Sequence, residues 1–161
     1  MTDNQYGRCA MTFRDSVAAL LVTASLFGCS TTSEHGVTMP LTATRHNAGQ
    51  IANATLTSWD KQITGFSFFI SGVPTGSSLP LRVYTFIYKG SCQQPGPVAY
   101  EMNDQVTTER VATSGWTFER SAPVAMSILL SGGYSIVVRS VPEDGNADLF
   151  CGDIKAQEPT K

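Results

Sequence analysis

The chain has 161 residues, 15% of them charged and 42% hydrophobic, which is enough for one domain with a modest core. Its 11 Lys plus Arg against 13 Asp plus Glu give a net charge of −2, so electrostatics offers no ground for a nucleic acid or an anionic membrane surface as partner. The two histidines, His35 and His46, both precede the β-rich part of the sequence, which excludes Ser-His and Cys-His catalytic pairs there.

The first apolar run, Val17 to Phe27, matches a secretory h-region and is too short to span a bilayer, which takes about 20 helical residues. It leads into Leu26-Phe27-Gly28-Cys29, which resembles a bacterial lipobox. The resemblance implies a signal peptide over residues 1–28, starting at Met1 or Met11, and a lipid on Cys29. It also implies residence in a bacterial cell envelope, with Ser30 favouring the outer membrane in a Gram-negative host. An ordinary secretory leader, with Cys29 free or paired, is the alternative. With Cys9 in the leader and Cys29 carrying the lipid, Cys92 and Cys151 are the thiols left and read most simply as one disulfide.

Residues 29–49 are small and polar without a period, which predicts a flexible tether. From Ile51 the pattern is that of short strands. Ala52, Ala54 and Leu56 alternate with polar neighbours, and after a turn at Asp60-Lys61, Phe66, Phe68 and Ile70 alternate in the same way, predicting a hairpin. Leu81 to Tyr88 predicts a strand with Leu81, Val83, Thr85 and Ile87 inward and Arg82, Tyr84, Phe86 and Tyr88 outward. Short strands are expected within Val98–Met102 and Gln105–Ala112, then at Ser114–Glu119, Val124–Leu130 and Tyr134–Val141, with Asp148–Ile154 closing the domain. About eight antiparallel strands over residues 50–155, followed by a tail over 156–161, predict an all-β Greek-key sandwich or barrel.

Four segments together carry a family resemblance. Ile70-Ser-Gly-Val-Pro-Thr-Gly76, Phe86-Ile87-Tyr88-Lys-Gly-Ser-Cys92, Tyr134-Ser-Ile-Val-Val-Arg139 and Gly145-Asn-Ala-Asp-Leu-Phe-Cys-Gly-Asp-Ile154 resemble, in order, segments of the Cu,Zn superoxide dismutases. The resemblance implies that Phe86, Tyr88, Arg139 and a residue near Val98 stand where that family has copper histidines. Asp148 stands where it has its substrate-guiding arginine. None of these side chains holds Cu(II) as imidazole does, and a carboxylate at Asp148 reverses the steering of superoxide. The implied protein is a metal-free, non-catalytic relative without cofactor.

Function is therefore expected to be binding or structural association, through an aromatic patch of Tyr84, Phe86, Tyr88, Tyr100 and Trp116 with Arg139. The partner would be an envelope or host protein. Two alternatives stand beside it. The acidic residues Glu143, Asp144 and Asp148 would suit an inhibitor of a basic enzyme such as lysozyme. Met39, Met102 and Met126 would be the ligands of a copper-handling protein or enzyme.

Overall fold

The computed structural model describes residues 36–111 and 115–156. The expected leader, Cys29 and the C-terminal tail from 157 lie outside the described residues. Nine strands dominate: β1 (Val37–Ala43), β2 (Ala52–Ser58), β3 (Thr64–Ile70), β4 (Val83–Gly90), β5 (Pro95–Glu101), β6 (Glu109–Arg110), β7 (Trp116–Ala122), β8 (Tyr134–Ser140) and β9 (Asp148–Ile154), with one short helix, α1 (Met126–Leu130). All pairings are antiparallel, in the order β5-β4-β8-β9-β1-β2-β3-β7-β6. This is the all-β architecture that the strand spacing predicts.

The expected hairpin is β2–β3, in register from Ala52 opposite Ile70 to Ser58 opposite Thr64. Its alternation places Ala54, Leu56, Phe66, Phe68 and Ile70 in the core, where Phe68 stacks on Phe118 of β7 at 4.8 Å between centroids. β4 follows the predicted faces as well: Leu81, Val83, Thr85 and Ile87 are buried, and Tyr84, Phe86 and Tyr88 are half-buried on the opposite face.

Two segments differ from expectation. The tether predicted over 29–49 is a strand from Val37, with Met39 and Leu41 in the core and His46 exposed on a following 3-10 turn. The apolar alternation Val37-x-Met39-x-Leu41 was masked by Pro40, which the strand tolerates because it occupies an outward position next to a change of partner. Residues Val37–Leu41 pair with β2, whereas Thr42 and Ala43 pair with Cys151 and Phe150 of β9. Gly152 permits this close crossing, since a Cβ there would lie 2.4 Å from Leu41 Cδ2. Val124–Leu130 is the other difference: it carries the helical turn α1 instead of a strand, so Leu129 is buried while Ile128 is 49% exposed. A short apolar run does not distinguish the two periods.

Beyond β1, a second seam joins the halves of the molecule. Val83 N–H donates to Val106 O at 2.9 Å, and Arg82 bridges Thr107, so the chain leaving β5 runs along the start of β4, which β5 leaves unpaired, before it reaches β6 and β7. The sheet curls until its two ends meet.

Candidate functional site

The outer face of β4 and β8 gathers four of the six predicted patch residues. Tyr84 and Phe86 meet edge-on with centroids 6.2 Å apart, and Phe86 and Tyr88 follow at 6.1 Å. Antiparallel register sets Arg139 opposite Tyr84, and its guanidinium lies over the Phe86 ring at 5.3 Å. The same guanidinium donates through Nε to Asp148 Oδ1 at 2.5 Å and through Nη2 to the Tyr88 hydroxyl at 3.3 Å. The hydrogen bond to Asp148 raises the Arg139 pKa, outweighing desolvation, with the charge of Asp148 and the contact with Tyr88 acting in the same direction. The ion pair is 25% and 44% exposed on its two side chains, so water screens it. A double-mutant cycle of Arg139→Ala and Asp148→Ala, read by urea unfolding, is expected to give a coupling of about 0.5–1 kcal/mol.

Val98 stands opposite Tyr88 on β5. The positions 86, 88, 98 and 139 thus adjoin one another on one face. Among the described residues no group of three or more His, Cys, Asp or Glu side chains converges as metal ligands.

Tyr100 and Trp116 do not join the patch. Tyr100 is opposite Ile87 and packs against the core, because the irregular register between β4 and β5 puts it on the inward side. Trp116 belongs to β7, opposite Ile70, where it packs on the core with Arg110 over its ring at 4.6 Å. Both are aromatic residues of inward parity, and only the pairing partner reveals that parity.

The disulfide Cys92–Cys151 is formed. It fastens the β4–β5 loop onto β9, and Cys92 N–H donates to Asp153 Oδ1 at 2.8 Å. The acidic residues of the inhibitor alternative are engaged within the molecule: Glu143 pairs with Arg82 at 3.8 Å, Asp144 Oδ1 accepts from Ser78 N–H and Oγ, and Asp148 holds Arg139. Met39, Met102 and Met126 all pack into or against the hydrophobic core.

A second site was not predicted. β6 pairs with β7 only at Trp116 and Thr117, so the β7 edge beyond them opens on two adjoining clefts of about 410 and about 530 Å³. Arg120 lines both, together with Gln105 and Glu119. It is 5% exposed, faces inward opposite Phe66, and lies over the Phe118 ring at 4.7 Å. Its guanidinium donates to the carbonyls of Glu119, Thr107 and Val83. Burial pushes its pKa down to about 10, which still leaves it charged at neutral pH. An arginine at an inward position of an otherwise apolar alternation, between Phe118 and Ala122, is the sequence signal for this site. At the mouth of the smaller cleft stands Trp59, 59% exposed.

Comparison of the chain with protein-family models, with curated proteins and with solved structures finds no match.

Proposed function

We propose that the chain is a non-catalytic binding module of the bacterial cell envelope, anchored through a lipid on Cys29, whose recognition surface is the outer face of β4 and β8. The observation that carries this reading is the contiguous row Tyr84, Phe86 and Tyr88, half-buried and braced by Arg139. Rigid aromatic side chains beside an arginine are the residue types that dominate contact energy in protein interfaces. The Cys92–Cys151 bridge suits an oxidising compartment, in keeping with export.

Descent from a Cu,Zn superoxide dismutase-like ancestor is part of the proposal. It is supported by the adjacency of positions 86, 88, 98 and 139, where aromatic, aliphatic and guanidinium groups stand in place of imidazoles. Arg139 and Asp148 then neutralise each other where a charged channel mouth would be.

The test is crosslinking of the native envelope with wild-type protein and with the Phe86→Ser/Tyr88→Ser variant. Wild type is expected to capture a reproducible protein partner, and the variant is expected to lose it while keeping its thermal midpoint within a few degrees. These rings are only partly buried and lie outside the core, so their loss costs little stability. Capture by the variant equal to wild type rules out this face.

A further inference from the structure

We infer that the cleft beside Trp59 is a carbohydrate-binding site, separate from the β4–β8 face and independent of the reading given to it. The indole is a preformed platform. Trp59 begins a turn in which its N–H donates to Ile63 O at 3.0 Å, and Asp60 Oδ1 accepts from the N–H groups of Gln62 and Ile63 at 2.6 and 2.8 Å. The pyrrole side of the ring rests directly on Gly65: a Cβ there would fall 2.0 Å from Trp59 Nε1 and 2.2 Å from Cε2. Strand β3 thus gives up a side chain where the ring sits, and 59% of the residue still faces water. A large aromatic side chain locked at its base and open above has paid its ordering entropy in advance, which is what a weakly binding polar ligand requires.

The rest of the cleft selects the chemistry. Asp104 and Glu119 offer acceptors, Gln105 offers both donor and acceptor, and Ser121 offers a hydroxyl, all on the lining of the same cavity of about 410 Å³, a size suited to a small ligand. Arg120, buried at the lining with Nε lacking a hydrogen-bond partner among the described residues, sets one positive charge against these carboxylates. A pyranose has an apolar C–H face to lay on the exposed indole and a rim of hydroxyls that donate to carboxylates and accept from amides. An anionic ligand is disfavoured by Asp104 and Glu119, and the guanidinium that would attract it already donates to three carbonyls. A purely apolar ligand would strip water from both carboxylates without replacing their hydrogen bonds.

The experiment follows the indole N–H signals by NMR in the full exported chain, which has only two tryptophans. The probes are hexamers of N-acetylglucosamine, of β-1,4-glucose and of α-1,4-glucose. At least one is expected to shift the Trp59 signal saturably at millimolar concentration or below, leaving the Trp116 signal in place. Glu119→Gln and Asp104→Asn are expected to weaken that binding five-fold or more with the fold intact. Gly65→Ala, which lifts the ring off its seat without removing it, should weaken it comparably. The inference is overturned if none of the three oligomers moves the Trp59 signal at 10-fold molar excess and 10 mM, or if the carboxamide variants bind as wild type does. It is also overturned if spermidine or a trimethylammonium compound saturates the cleft while the sugars do not, since the carboxylates would then be selecting a cation.

Discussion

Protein in which Cys92 and Cys151 are both replaced by serine is expected to lose about 4 kcal/mol of stability, the chain-entropy cost of releasing a loop of this length. The bridge joins residues separated by 59 positions, and β5, β6, β7, α1 and β8 all lie inside the loop it closes. The open form gains conformational freedom across most of the second half of the chain, whereas the folded form loses only one covalent link. Urea unfolding of the wild type with and without a reductant, alongside the double serine variant, measures the effect as a fall in midpoint. Reduced wild type and the variant should agree. A loss below about 1 kcal/mol in both would mean that the unfolded chain keeps residual structure that already limits its freedom without the bridge. With a net stability of typically about 5–15 kcal/mol for a domain, the expected loss is large enough to make folding depend on an oxidising environment.

Arg120→Ala is expected to cost about 2–3 kcal/mol and to do so at the seam rather than throughout the barrel. The side chain fills space between Phe118 and the opposite edge, and its truncation leaves a cavity together with backbone carbonyls of Val83 and Thr107 that lose their charged donor. Those two bonds are long, at 3.4 Å each, which keeps the expected cost below that of breaking a tight buried ion pair. Arg120→Met should cost less than the alanine variant, because it keeps the volume and removes the desolvation of a cation. The direction of the pKa shift gives a further sign. Burial lowers the arginine to about 10, below its unfolded value. The unfolded chain therefore holds more protons between the two values, and this one group adds stability as pH rises through that window. At neutral pH the charge is a cost to the fold, which the methionine variant removes. Hydrogen exchange of the Val83 amide, which donates to Val106 O, checks the location: it should lose protection in Arg120→Ala, while amides of the β2–β3 hairpin keep theirs.

The strands that alternate cleanly were legible from residue order alone. In β2, β3 and β4 the buried side chains of the inward face are apolar or threonine, and a strand's side-chain period of two is a property of its own backbone. The disulfide was legible because Cys92 and Cys151 form a single pair once Cys9 and Cys29 are read as export features. β1 was not, since Pro40 and the polar residues on its outer side resemble a linker, and its burial depends on Gly152 in a strand more than 100 residues later. The helical turn α1 was not legible either, because five residues of apolar sequence fit both periods.

Within the patch, Tyr84, Phe86 and Tyr88 were legible as neighbours because they share one strand. Arg139 was joined to them by the resemblance that sets positions 86, 88 and 139 where one metal's ligands would be, but Tyr100 and Trp116 were assigned by aromatic character and not by parity. Their inward placement is set by pairing: Tyr100 by the shifted register of β5 on β4, and Trp116 by its place opposite Ile70. The cleft of Trp59 and Arg120 shows the same division. Sequence determined that this chain would make antiparallel strands with one apolar face and one cross-link, because those properties are encoded by near neighbours and by residue type. Tertiary structure alone decided where the sheet curls shut, which edge of β7 stays open, and which distant side chains line it, because register and closure depend on contacts between residues far apart in the chain.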